Sequence, residues 1–595
     1  MELNMVNKEL DIKEDDTVIR INKLKVWTPE EKSWWRRKVT KPQTVILNNV
    51  SGAIKEGEFA AVIGPSGAGK TTFLVSLAGK CTLPSDGNVT VKGRNVKNAQ
   101  GAVEIVPQFE VFMDSLRVYE HLVFMMEMKL GNHKKSHNKA MLDLLIRDLM
   151  LKSHLRTPIR SLSGGERRLL SLATSLLSDP QILICDEPTT GLDSYNALLV
   201  IGVLKKLSLS GKVVVCSVHQ PSWDLFKEFN SILLMAEGQL LFHGSHEECK
   251  TLFESINLRC PINYNPAEFY IRALSNRNGD YIEKFLERSR NRFLECDFTS
   301  SETPDKGTVK TSQRHWCKQV QLLLWRSSLT LKTDVRNHLL QLFLSVVMSS
   351  LVIGTCYVGI SGTTQRGVQD IRGFLWLMTS EVSFSLSYNA LYAFDAEIAL
   401  FKREAGMYSC SAYFVNRFLS FIPRCIVWPV TLVFLATLWV DLPNHLVTAF
   451  QFIAALTVSA VAAVAYGLGM SAIFTSSGVM GDVMPCADLA LFLMSGAFLR
   501  LSSIPAWLYP VKYISHFYYA MDAISNLYWR QIDHINCPSN STTMCIKDGP
   551  SVLLENGYSA NFIFEDCLGL MLITLLWSLL AYWGLKREEK KGYAY

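Results

Sequence analysis

The sequence predicts two joined folds: an α/β domain over the first half, then an all-α domain of six membrane-crossing helices. Three observations predict this. Only 19% of the 595 residues are charged and 49% are hydrophobic, and the halves differ sharply: residues 1–310 mix charged and apolar positions, whereas residues 337–585 are dominated by long apolar runs. The apolar run Phe59 to Ile63 leads into Gly64-Pro65-Ser66-Gly67-Ala68-Gly69-Lys70-Thr71-Thr72 and then into the helix formers Phe73, Leu74, Leu77 and Ala78. That is the strand, glycine-rich loop and helix of a phosphate-binding P-loop. Six apolar stretches in the second half each approach the ~20 residues a helix needs to cross a bilayer.

A chain of 595 residues exceeds one domain. The formal net charge of +6 is modest for this length and argues against nucleic acid as a partner. The first 40 residues hold no apolar run long enough for a secretory signal. The first membrane segment is therefore expected to act as its own insertion signal, leaving the N-terminal half in the cytosol. Most of the 14 cysteines are then expected to be reduced and buried.

Residues 17–62 alternate in places, as at Val18, Ile19 and Ile21, and read as a β-rich lead into the core. Trp27 either stacks on adenine or, more simply, packs at a surface. In the P-loop the glycines let successive N–H groups curl toward phosphate oxygens, and the helix N-terminus adds partial positive charge. Lys70 is expected to reach the β- and γ-phosphates and Thr71 to ligate Mg²⁺. ATP and Mg²⁺ are thus the expected cofactors.

Gln108, after a second apolar run, suits a Mg²⁺ ligand or a residue that positions the attacking water. Leu162-Ser163-Gly164-Gly165-Glu166 places a hydroxyl and backbone amides at a helix start, suited to grip a phosphate. It also fits a plain glycine turn that caps a helix. A chain whose own P-loop holds the γ-phosphate has no obvious use for a second grip, so this segment is expected to clamp ATP on another subunit. The strand Ile182 to Cys185 ends in two acids: Asp186 suits Mg²⁺ coordination through water, and Glu187 suits general-base work. Asp193, in the turn after Gly191, is placed to contact an opposing subunit. The strand Val213 to Val218 ends at His219, expected to orient water beside the γ-phosphate.

Residues 1–296 are read as the nucleotide-binding domain, 297–312 as a linker, 313–335 as an amphipathic connecting helix at the membrane surface, and 336–595 as the membrane domain. The spans are placed at 338–359, 371–393, 416–439, 446–473, 483–500 and 563–585, with Pro423 and Pro429 kinking the third. Lys402, Arg403 and the tail Lys586, Arg587, Lys590 and Lys591 agree with positive charge on the cytosolic side. Residues 501–562 form the one large exterior loop. Cys537, Cys545 and the sequon at Asn540 favour a Cys537–Cys545 disulfide enclosing a glycan; free thiols or pairing across a dimer remain the alternatives.

The five nucleotide motifs, in this order, resemble the nucleotide-binding domain of ABC transporters over about residues 40–250. The resemblance implies an ATPase core with a helical subdomain, and two such domains sandwiching two ATP molecules. With one P-loop and one signature segment, the chain looks like a half-transporter that pairs with a second half, identical or White-like. The domain order, the six spans, the long last loop and residues 263–270 resemble the G subfamily, and within it the insect White, Scarlet and Brown group. Residues 401–414 resemble that family's coupling elbow. Phe384 and Ser385 in the second span, and Leu489 and Phe492 in the fifth, fall near positions that face the central cavity in related exporters. They are also compatible with ordinary helix packing. Ala497 and Phe498 stand where relatives carry an apolar plug. Glu381, an acid within a span, faces either the cavity, favouring polar or cationic cargo, or a neighbouring helix. The resemblance implies ATP-driven transport of a small organic molecule, such as a tryptophan- or guanine-derived pigment precursor. Lipid or sterol transport and a non-transporting ATP-gated regulator are the alternatives. The membrane is either the plasma membrane or that of a pigment granule.

Overall fold

Strands without a polar face must be covered on both sides, and the first unit is built around four of them. Phe59–Ile63 (β3), Ile182–Cys185 (β6), Val213–Ser217 (β7) and Ser231–Ala236 (β8) are buried at every position. With Val103–Val106 (β5) and Gln239–Gly244 (β9) they form a six-stranded sheet in the order β9-β8-β3-β7-β6-β5. All neighbours are parallel except the β8–β9 edge pair. A second, antiparallel sheet joins Thr17–Thr28 (β1), Thr44–Lys55 (β2) and Ser85–Val91 (β4) with the two-residue strand Arg94–Asn95. Helix Lys70–Leu77 (α1) packs between the sheets, with Phe73, Leu74 and Leu77 in the shared core. Helices Val118–Lys129 (α2), Lys135–Asp148 (α3) and Gly164–Leu176 (α4) form a helical subdomain. Trp27 is half-buried within β1, opposite Val45.

The computed structural model describes residues 17–32, 39–99, 101–131, 135–275, 285, 314–440, 442–474, 477–536, 545–558 and 563–591. It divides into two units, residues 1–314 and 315–594. The expected linker 297–312 lies outside the described residues, as do Cys537 and Asn540.

The second unit is helical. Its helices are Trp316–Cys356 (α5), Gln365–Leu391 (α6), Cys410–Ala436 (α7), His445–Ile473 (α8), Ser477–Leu493 (α9), His516–Trp529 (α10), Gly549–Asn556 (α11) and Ile563–Lys590 (α12). Helix α8 is central, packing against α6, α7, α10 and α12. Small residues allow this. A Cβ at Gly467 would meet the Ser387 carbonyl oxygen at 2.3 Å, and one at Gly469 would meet the Trp577 ring at 2.4 Å.

Three boundaries differ from expectation. The connecting helix and first span are one continuous helix, α5, because residues 316–356 contain no proline and their only glycine is Gly354. The fifth span is shorter and earlier than 483–500: α9 has 17 residues and ends before Gly496, which takes φ 83°. Residues 501–562 are not simply a loop. They contain α10, buried along nearly its whole length against α6, α8 and α12. Its 14 residues reach only ~21 Å, too short to register as a span. Among the described residues four helical segments are long and apolar enough to cross a membrane: Val335–Cys356, Cys410–Ala436, His445–Ile473 and Phe564–Lys590. Pro423 and Pro429 lie inside α7.

Candidate functional site

The parallel strands β3, β7, β6 and β5 release their following loops at one edge of the sheet, where α/β folds bind ligands. The P-loop follows β3, His219 follows β7, Asp186 and Glu187 follow β6, and Gln108 follows β5. Four motifs spread over more than 150 residues thus gather by topology alone.

The P-loop geometry explains its glycines. A Cβ at Gly64 would strike the Met235 carbonyl oxygen at 2.0 Å, so no side chain fits. Gly67 and Gly69 take φ 79° and 89°, where a side chain is strained. Pro65, Ser66 and Ala68 complete the loop, and Thr71 and Thr72 open α1 behind Lys70. The Lys70 ammonium donates to the carbonyls of Gly64 at 2.8 Å and Pro65 at 2.9 Å. Burial lowers the pKa of that ammonium, while the negative charges of Glu187 and Asp186 oppose the shift.

Asp186 is 1% exposed. Its Oδ1 accepts from the Ser217 hydroxyl at 2.5 Å, and its Oδ2 is buried with no hydrogen-bond partner among the described residues. Burial raises its carboxyl above the ordinary range, with the Ser217 and Thr71 hydroxyls pulling it back. A buried carboxylate oxygen without a donor, beside a threonine hydroxyl, suits a hydrated divalent cation. Glu187 takes φ 46°, held there by its N–H donating to Ser217 Oγ at 2.8 Å. Glu187 Oε2 accepts from Gln108 Nε2 at 2.8 Å and from Thr190 Oγ1 at 2.9 Å. Gln108 and Glu187 are therefore in direct contact. His219 reaches the same edge but is exposed there.

Ser163 is the N-cap of α4. Its hydroxyl accepts from the Glu166 N–H, and the Glu166 carboxylate accepts from the Ser163 N–H at 2.9 Å. Glu166 is thus committed to a capping box and also lies 3.4 Å from His154. Ser163 and Gly164 are exposed, while Gly165 is buried where a Cβ would meet Asn196 at 3.2 Å. Asp193 stands at the N-cap position of the next helix, Ser194–Leu209, without a side-chain bond to its backbone, and its Oδ1 accepts from Asn196 Nδ2 at 2.5 Å.

In the helical unit, three of the six expected cavity residues meet in one aromatic cluster. Phe384 lies 6.4 Å from Phe492, which lies 5.0 Å from Phe498. Trp376 and Phe517 complete it, at 4.5 Å from Phe492 and 5.0 Å from Phe384. Leu489 and Phe498 are exposed. Glu381 is half-buried, and its Oε1 accepts from Ser349 at 2.8 Å and Ser385 at 3.0 Å. Ala497 donates its N–H to Ser495 Oγ. Residues 401–414 form a stacked elbow in which Phe401 and Tyr413 lie 4.7 Å apart. Beneath it Arg326 Nη1 donates to both oxygens of Glu404 at 2.6 and 2.8 Å, and Tyr408 donates to the same carboxylate at 2.7 Å.

The sequence is similar to those of known proteins. Residues 47–190 match the ABC transporter family, and residues 318–529 and 219–280 match ABC-2 type transporter families. The chain is 33% identical to Protein white of Drosophila melanogaster, covering 93% of this chain and 85% of that protein. It is 30% identical to Protein brown of the same fly, over 94% and 95% of the two chains. It is also 30% identical to Protein scarlet, over 92% and 86%. The chain belongs to the ABC transporters, as a G-type half-transporter. As an ABC transporter it binds ATP and hydrolyses it in step with transport across a membrane.

Sequence reasoning missed several residues of this half-transporter. Ser217 links Asp186 to Glu187, but a serine two positions before a strand-end histidine carries no signal of its own. Trp376 and Phe517 escaped because one lies early in a span and the other in the supposed loop. Asp488 is a second acid within a membrane helix, 3% exposed and accepting from the Tyr466 hydroxyl at 2.8 Å. The rule that singled out Glu381 applies to it equally.

Proposed function

We propose that this half-transporter moves a flat, aromatic small molecule carrying a polar or cationic group, and works as one half of a dimer. The observation that carries the cargo class is the cluster of Trp376, Phe384, Phe492, Phe498 and Phe517, of which Trp376 and Phe384 share α6 with Glu381. Aromatic faces favour stacked planar ligands. Both serine hydroxyls bind Oε1 of Glu381, which leaves Oε2 for a donor on the cargo. Tryptophan- or guanine-derived pigment precursors fit this chemistry and follow from the likeness to White, Brown and Scarlet.

Exposed Ser163 and Gly164, in a chain with one P-loop, support a composite pocket completed by a second half-transporter, identical or related. Mg²⁺ fits beside Thr71 and Asp186, with Gln108 turning to it from Glu187, and it would neutralise charge on the phosphates. Glu187 would then take the proton of the attacking water, and His219 would orient that water. The nucleotide domain is assigned to the cytosol, and Cys545, which is disulfide-bonded, to the exterior with Cys537 as its partner and Asn540 glycosylated.

The test is substrate-stimulated ATPase activity of the protein with its co-purified partner in lipid nanodiscs. Stimulation by planar aromatic amines, lost in Phe492→Ala and weakened in Glu381→Gln, is expected. Stimulation by sterol or phospholipid alone, indifferent to both substitutions, would overturn the cargo class.

A further inference from the structure

The helix that starts at the signature segment also grips the loop that carries Gln108. Arg168 lies two positions beyond Glu166 on α4 and is 4% exposed. Its Nη1 donates to the Pro107 carbonyl at 2.8 Å and its Nη2 to the Gln108 carbonyl at 2.7 Å. Its Nε lies 2.9 Å from Glu110 Oε1, a largely buried ion pair that holds the guanidinium charge in place without a hydrogen bond at Nε. One rigid fork thus holds two consecutive carbonyls, which a lysine ammonium could not do with the same geometry. Arg167 reinforces the attachment. It pairs with Asp114 at 3.1 Å and lies over the Phe112 ring at 5.7 Å. The side chain of the gripped residue, Gln108, donates to Glu187 Oε2.

We propose that Arg168 is a positioning residue for ATP hydrolysis: it ties Gln108, and through Gln108 the base Glu187, to the signature helix. The path is short and continuous. Ser163 and Arg168 share one helix, Arg168 holds the Gln108 backbone, and the Gln108 side chain holds the carboxylate. A shift of α4 carries the Gln108 backbone with it and alters the hydrogen bond that occupies Glu187 Oε2. The site that this chain's signature segment grips is thereby linked to the base in this chain's own pocket. The inference rests on the proposed role of Glu187.

The experiment measures kcat and KM for ATP in the full-length protein with its partner in nanodiscs. Arg168→Gln is expected to lower kcat on the order of tenfold with KM changed less than about twofold, since displacing a positioning group affects the chemical step more than binding. Gln108→Ala should do the same, and the double variant should be no slower than Gln108→Ala, because both changes act along one path. Arg168→Lys should recover only part of the rate. Glu110→Gln keeps both carbonyl bonds, and a smaller loss confined to kcat is expected; it serves if Arg168→Gln does not fold. Unchanged kcat in Arg168→Gln, or in Glu110→Gln where that variant stands in, overturns the inference. So does a double variant whose losses multiply. Glu187→Gln separates the two failures. If it keeps wild-type turnover, the base assignment and this inference fall together. If it abolishes turnover while Arg168→Gln does not reduce it, only this inference falls.

Discussion

At the scale of residues, the nucleotide site rests on a few atoms with one available role each. Glu187 is placed by a backbone turn at φ 46° and by Ser217, and its carboxylate is the group nearest to hand for taking a proton from water. Glu187→Gln should keep ATP affinity and lose at least about a hundredfold in turnover, the usual scale for removing a general base. Steady-state hydrolysis beside equilibrium nucleotide binding checks this, and near-wild-type hydrolysis would refute it. The P-loop, Asp186, Glu187 and Gln108 stand out in the sequence because phosphate chemistry constrains residue type at each position, and the fold gathers them at one edge of the sheet. No side chain fits at Gly64, and only an acid suits the end of β6. Ser217 and Arg168 were not legible. Their roles come from neighbours 30 to 61 positions away in sequence, which only the sheet order and the packing of α4 bring together.

At the scale of elements, two ionic clusters, one partly and one fully buried, join pieces that would otherwise slide. Glu104 in β5 accepts from Lys129 of α2 at 2.9 Å and from Ser178 at 3.2 Å, and lies 3.9 Å from Lys80. Burial pushes the Glu104 carboxyl up, but the two ammonium groups and the Ser178 hydroxyl outweigh it and hold the pKa below 4.5. A carboxyl held lower in the fold than in the unfolded chain stabilises the fold above its ordinary pKa. That stability disappears as pH falls through the lower, folded value. Denaturant unfolding of the full-length protein should therefore lose stability below about pH 4.5, and Glu104→Gln should flatten that loss. In the elbow, Glu404→Gln would strand the Arg326 charge at 4% exposure, at a cost of roughly 3–5 kcal/mol. Thermal unfolding should show the drop, and Arg326→Met combined with Glu404→Leu should restore much of it. Helix α10 shows why the membrane half was harder to read. Its polar residues are buried inside the fold: Asn526 donates to Asp522 at 2.6 Å, while both ring nitrogens of His516 lie buried with no hydrogen-bond partner among the described residues. Neither hydropathy nor length marks it as part of the bundle.

At the scale of the whole molecule, each chain should contribute unlike halves to each ATP pocket. Lys70→Ala removes a P-loop and Ser163→Arg blocks a signature segment. Placed in opposite halves of one dimer, the two changes spoil the same pocket and leave the other whole. ATPase activity should therefore survive in that mixed dimer and vanish when both changes sit in one half and the partner carries both as well. Equal activity in the two arrangements would mean that each chain works alone. The domain order and the count of motifs made the half-transporter architecture legible. The cargo was not, because the convergence of rings from α6, α10 and the α9 region, on which the proposed cargo class rests, is set by packing and not by any local pattern.

Helix α5 runs for 41 residues, ~60 Å at the usual rise, with no proline and one glycine two residues before its end. A rod of that length has no joint at which a tilt imposed at Trp316 could be absorbed before Cys356. What reaches its first turn is delivered to its last, so the mechanical stroke of such a machine would depend on lever arm as much as on force. Shortening or breaking this one element should leave fuel consumption running while the work it drives falls away.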